Sequence, residues 1–264
     1  MPDPKSPAGA SAPDKEPRPA GGEIAFAEGD FHALSEPLDR DPQYDAARLA
    51  ARRKLLALGK RAVGELAEPV GTKLDVRSSI HHPRPFNGMR VRRLWTYLMR
   101  PKAEKTRLRK TLGADLAKDL DAAYRNAYLC LAIEHDKLEV SFRIHKDAWF
   151  DGQNLVRRIK AEGRDGFLAV LRELEGFTLR MDDWKGEWPL GPTLEPQRLD
   201  SYLGYYVPGD HALTIDRRYP APPGARDHAF APDVPDLLLA DLARLAELYR
   251  YAVWSKESDF LFSS

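Results

Sequence analysis

The stretch Leu138–His145, LEVSFRIH, alternates without a break: Leu138, Val140, Phe142 and Ile144 face one way, Glu139, Ser141, Arg143 and His145 the other. A period of two marks a β-strand with one buried and one polar face. Strands covered on both faces would read as continuous apolar runs, so the expected sheet is mainly antiparallel with a polar side. The same period recurs at Thr72–Ile80, Phe177–Met181 and Ala212–Arg218, which gives four strands or more.

Helical spacing fills most of the intervals between them. Asp41-Pro42 supplies an N-cap and a first-turn proline, and Tyr44, Ala47, Ala51, Leu55, Leu58, Ala62 and Leu66 then recur at three- and four-residue steps. The prolines at 83 and 85 hold the residues before them extended, so His81–Pro85 is a loop. Asn87 reads as the cap of a helix bearing Val91, Leu94, Trp95 and Leu98, with an Asn87-Gly88 hairpin turn as the competing assignment. Pro101 starts a second short basic helix that Gly113 ends, and Leu116, Leu120, Ala123, Tyr124, Ala127, Tyr128 and Leu131 predict a long packed helix over 114–134. Further helices are expected from Asp151 to Gly176 with a break at Gly163, over 198–205, and from Asp233 to Trp254.

The resulting class is α+β: a mainly antiparallel sheet of four or more strands, helices packed on one face, and a long C-terminal helix. Residues 1–40 are rich in Pro and Ala and read as a disordered tail, within which Ile24, Phe26, Phe31 and Leu34 form a candidate anchor. Residues 41–264 are read as a single α+β domain. No run approaches the ~18 apolar residues of a membrane span, and the single cysteine, Cys130, excludes an internal disulfide. A cytoplasmic, non-membrane protein is expected.

Charge is unevenly distributed. Residues 73–110 hold twelve Lys and Arg against Asp75 and Glu104, a local net of +10, leaving 29 basic against 38 acidic residues elsewhere, a net of −9. Such concentration favours a polyanionic partner. The expected anion-binding set is Arg84, Arg90, Arg93, Tyr97, Arg100, Lys102, Lys105 and Arg109, presented by two short helices meeting at Pro101. The function expected from this window is binding of nucleic acid or another polyphosphate, without a recognisable catalytic motif.

An alternative reading is a phosphodiesterase or nuclease dependent on a divalent metal and built on the polar sheet face. Asp75, Glu139 and His145 are its candidate catalytic groups, and His81, His82 and Asp147 its candidate metal ligands. A third reading is a scaffold that engages an acidic protein. Phosphate-cradling glycine loops and a nucleophile elbow are absent from the sequence, which removes support for P-loop motors, dinucleotide oxidoreductases and serine hydrolases of that type.

Overall fold

The computed structural model describes residues 24–83, 87–180, 186–221 and 231–262. Among them, seven strands form one sheet: β1 (Asp75–Ser78), β2 (Arg93–Met99), β3 (Tyr128–Glu134), β4 (Lys137–Ile144), β5 (Thr178–Arg180), β6 (Glu187–Pro189) and β7 (Leu213–Pro220). Their order is β1-β2-β3-β4-β7-β5-β6, with every neighbouring pair antiparallel. The helices are α1 (Glu28–His32), α2 (Asp45–Val70), α3 (Lys102–Leu116), α4 (Trp149–Glu162), α5 (Arg164–Arg172), α6 (Pro196–Tyr205) and α7 (Val234–Ala252). The class is α+β, and α7 is the long C-terminal helix.

The alternation in β4 sets the two sides. Leu138, Val140, Phe142 and Ile144 enter one core with Leu129, Leu131 and Ile133 of β3, Leu55, Leu58 and Leu66 of α2, and Leu238, Leu242 and Leu245 of α7. Full burial of each such side chain contributes about 1.5–3 kcal/mol, so this shared face is what holds helices to sheet. α2 approaches closely: a Cβ on Gly59 would lie 2.5 Å from Thr96 Cγ2, so glycine is what lets the helix settle on β2.

Two predicted helices are strands. The 87–100 segment turns at Gly88 and Met89, both with φ near +60°, closed by the Arg90 N–H donating to Asn87 O at 3.2 Å, and then runs as β2. Leu94, Thr96 and Leu98 face α2 while Arg93, Trp95, Tyr97 and Met99 face away, an alternation that the arginines obscured. The 114–134 helix ends at Leu116, and Tyr128–Glu134 is β3, a central strand buried on both faces. Double burial removes the polar alternation, so its Tyr-Leu-Cys-Leu-Ala-Ile run fits either period.

The boundary of the tail also moves. Phe26, Phe31 and Leu34 are buried in the main core, so residues 24–40 belong to the packed body; residues 1–23 lie outside the described residues. The fully buried guanidinium of Arg48 fastens this segment, donating to the carbonyls of Ala33, Leu38, Asp41 and His81 and to the Asp45 carboxylate. Three of those carbonyls come from residues 33–41 and the fourth from the loop after β1.

Cys130 sits at the centre of β3, fully buried, and burial pushes its thiol up to about 11. The thiolate is the reactive form, so a thiol reagent at pH 8 is expected to leave the native protein unlabelled and to label it stoichiometrically in denaturant. Rapid labelling without denaturant would show that β3 is not the covered central strand.

Candidate ligand-binding face of the sheet

The face turned away from α2 and α7 carries the side chains that chemistry could use. Along β2 it presents Arg93, Trp95, Tyr97 and Met99, and the register sets Trp95 opposite Ala132 and Tyr97 opposite Cys130. These two small neighbours leave room above the sheet for the rings. Trp95 and Tyr97 stack with centroids 3.8 Å apart at 12°, and Tyr97 stacks on Tyr128 at 4.1 Å and 27°. Burial raises the phenols of Tyr97 and Tyr128 above the usual tyrosine range, so the ladder is uncharged at neutral pH. The apolar cluster beneath it comprises Met99, Ala123, Tyr128, Cys130 and Ala132, and no described α-helix contributes to it.

Beside the ladder, arginines are held by buried carboxylates. Glu139 Oε1 accepts from Arg93 Nη2 at 2.9 Å, Arg143 Nη2 at 2.7 Å and Ser141 Oγ at 2.7 Å, while Oε2 accepts from Arg93 Nη1 at 3.0 Å. Burial alone would raise the Glu139 pKa, but the hydrogen bonds and charges of Arg93 and Arg143 outweigh it and hold the carboxyl well below its usual range. On the next strand Asp216 accepts from Arg180 Nε at 2.7 Å and Arg218 Nη2 at 2.8 Å. The expected reading of Glu139 as a catalytic group is therefore corrected: its lone pairs are committed to two guanidinia and a hydroxyl.

Two clefts flank the ladder. Where β2 ends and α3 begins, Asp75, Val76, Arg77, Met99, Lys102, Lys105 and Asp121 enclose about 470 Å³. Asp75 Oδ2 accepts the Lys102 N–H at 3.0 Å, capping α3 from a neighbouring strand, and Arg77 Nη1 donates to Asp121 O at 2.8 Å. Arg109 pairs with the Asp121 carboxylate at 3.2 Å. At the other end of β2, Asn87, Arg90, Val91, Arg92, Arg93 and Trp95 enclose about 360 Å³. Arg90 lies 3.8 Å from Glu36, and Arg92 donates to Asp39 at 2.6 Å.

The basic window is thus divided rather than presented on two helices. Asp75, Lys102 and Lys105 line one cleft, with Arg109 behind it paired to Asp121; Arg90 and Arg93 line the other; Tyr97 lies between them in the ladder. Arg84 lies outside the described residues. Arg100 is corrected outright: it is fully buried, its Nη2 donates to Asp151 Oδ1 at 2.6 Å, and it cannot meet a ligand at the surface. Inversion of the predicted helix into a strand is the reason, since Arg100 follows β2 into the end of the core.

The candidate metal ligands His81 and His82 are not brought together with Asp147 and His145. β1 runs antiparallel to β2 with Ser78 opposite Thr96, so His81 and His82 emerge where β2 begins. β4 ends where β2 finishes, because Arg143 pairs with Tyr128 and Tyr128 with Met99, and His145 follows there. Asp75 shares that end with His145 but lies three strands away, about 14 Å at ~4.8 Å per strand. His145 Nδ1 accepts the Asp147 N–H at 3.2 Å, a turn-capping role. His81 and His82 meet edge to face at 5.0 Å, and burial lowers the pKa of His81. Among the described residues no group of three or more His, Cys, Asp or Glu is gathered to hold a metal ion. The donors in the larger cleft, two carboxylates beside Arg77, Lys102 and Lys105, suit an anion better than a divalent cation.

Trp95, Met99, Tyr128 and Asp121 belong to this candidate face and its cleft, and the helical assignment of residues 87–100 and 114–134 hid them. The available signal was the Arg93-Trp95-Tyr97-Met99 alternation itself. Comparison of the chain with models of known protein families and with curated proteins finds no match. No described helix is long and apolar enough to cross a membrane.

Proposed function

We propose that the protein binds a single-stranded nucleic acid along β2 on the open face of the sheet, without catalysing a reaction on it. The observation that carries this reading is the Trp95–Tyr97–Tyr128 ladder on the face turned away from α2 and α7, with Trp95 and Tyr97 half-buried, Tyr128 buried beneath them, and a cation-lined cleft at each end. Single strands are held by aromatic faces on which bases stack and by cations that follow the backbone, and neither contact requires a base-specific code. A base stacks on the free face of Trp95 above Arg90 and Arg93, and the backbone continues past Arg77 to Lys102 and Arg109. β2 spans about 20 Å at ~3.4 Å per residue, so the track accommodates a short stretch of strand. The same reading assigns the protein to the cytoplasm, where its partner would be found and Cys130 would stay reduced.

Trp95→Ala is the direct test. Removing one stacking platform is expected to weaken binding of a fluorescein-labelled single-stranded oligonucleotide by about 1–3 kcal/mol, roughly 5- to 150-fold in anisotropy titrations. Duplex of the same sequence is expected to bind less tightly than the strand, because its bases are already stacked on one another. An unchanged affinity in Trp95→Ala would overturn the reading.

A further inference from the structure

Lys105 is out of place for an ordinary surface lysine. It lies on α3, is only 5 % exposed, and lines the 470 Å³ cleft rather than reaching past it to solvent. Its one side-chain hydrogen bond is to a thioether, from Nζ to Met99 Sδ at 3.7 Å. Among the described residues, no carboxylate pairs with it as an ion pair, although twenty-odd other cation–carboxylate contacts recur throughout the chain. A desolvated amine without a counter-ion favours its neutral, nucleophilic form. Burial lowers the Lys105 pKa, the charges of Arg77 and Arg100 act in the same direction, and those of Asp75 and Asp121 oppose them. The walls of the cleft also offer Arg77 and Lys102, cations suited to an anionic substituent, and Asp75 and Asp121, carboxylates suited to moving protons.

We infer that Lys105 is a reactive amine that captures an anionic carbonyl compound as an imine. The Lys105 nitrogen attacks the carbonyl carbon and the carbonyl oxygen takes up a proton to give a carbinolamine. That hydroxyl leaves as water while the nitrogen loses its remaining proton, so amine plus carbonyl becomes C=N plus one water and no redox partner is needed. Asp75 and Asp121 line the cleft where those protons move, and Arg77 with Lys102 holds the ligand's phosphate or carboxylate. This site does not depend on strand binding: the ladder can be empty, or absent by mutation, and the amine is unchanged.

Pyridoxal 5′-phosphate, an aldehyde bearing a phosphate, is the probe. The full-length protein is incubated with it at pH 7.5, reduced with borohydride, digested, and mapped by mass spectrometry, with pyridoxal lacking the phosphate in a parallel arm. The expected result is one dominant adduct, on Lys105, in preference to the exposed Lys102 and Lys110. At equal concentration the phosphate arm is expected to give at least about tenfold more adduct, since a charge-assisted hydrogen bond is worth about 1.5–3 kcal/mol. Lys105→Arg is expected to lose the adduct while keeping its circular dichroism spectrum, and the wild-type map stands by itself if that variant does not fold. Adducts spread over exposed lysines with Lys105 unmodified, or equal labelling by the two aldehydes, would overturn the inference. Trp95→Ala is expected to label normally, which separates failure here from failure of strand binding.

Discussion

Asp151→Ala is expected to destabilise the protein by about 3–5 kcal/mol, the cost of leaving a buried charge without its partner. Asp151 is fully buried and serves three chain segments at once. Its Oδ1 accepts from Arg100 Nη2 at 2.6 Å and from the Trp254 N–H at 2.9 Å, and its Oδ2 accepts from the Ala127 N–H at 2.8 Å. The carboxylate thus ties the end of β2, the entry to β3 and the chain after α7 to the first turn of α4. Without it the Arg100 guanidinium is left between the rings of Phe150 and Trp254, at 5.5 and 5.7 Å, which offer a π-face but no acceptor oxygen. For a chain of this size the loss corresponds to roughly 6–20 °C in Tm. Differential scanning fluorimetry reads it directly. The double replacement Arg100→Met with Asp151→Leu is expected to recover much of the loss, because a buried pair exchanged for apolar groups of similar volume is often near neutral. A shift of under 2 °C in Asp151→Ala would show that the pair is not closed in solution.

The second large effect is expected at Glu139. Glu139→Gln keeps the shape but removes the charge that neutralises Arg93 and Arg143, and it is expected to cost about 2–3 kcal/mol at pH 7, the two guanidinia being 29% and 24% exposed. The pH dependence has a definite sign. The folded-state pKa of Glu139 lies below the unfolded value near 4.3, so the stabilisation is complete above that pH and is lost as pH falls through it towards the folded value. Urea unfolding of wild type and variant is therefore expected to differ most at neutral pH, with the gap narrowing below about pH 4. A gap that stays constant down to pH 3 would mean that the carboxylate is not held by the two arginines.

These two carboxylates illustrate what the amino-acid order reveals and what it conceals. Elements whose polar residues keep to one face were readable: α2, β4 and α7 lie where their periodicity places them, and in β4 the alternation survives even though Glu139 and Ser141 are buried. β3 was not readable, since Tyr128–Ile133 is covered above and below and carries no such mark. β2 failed for another reason. Its arginines drew Trp95 and Tyr97 into different stripes of an imagined helix, and only the strand geometry returns them to one side. The charge excess of residues 73–110 was real as a count, but charge says nothing about pairing. Arg92, Arg93, Arg100 and Arg109 each meet an acid distant in sequence, at Asp39, Glu139, Asp151 and Asp121. The gathering of Asp75, Lys102 and Lys105 in one cleft depended on β1 pairing with the end of β2, a long-range fact that no local pattern contains.

The claim that the open face binds a single strand is tested most directly by the salt dependence of that binding. Affinity for a labelled single-stranded oligonucleotide is measured from 50 to 200 mM salt for the wild type and for a variant combining Arg90→Ala, Lys102→Ala and Arg109→Ala, three side chains at the two ends of the track. The wild-type affinity is expected to fall linearly on a log–log plot, and the variant's slope to be shallower by about 0.7 for each cation that contacts a phosphate, roughly 2 in all. No measurable binding by the wild type at 50 mM salt, or slopes that coincide, would contradict it.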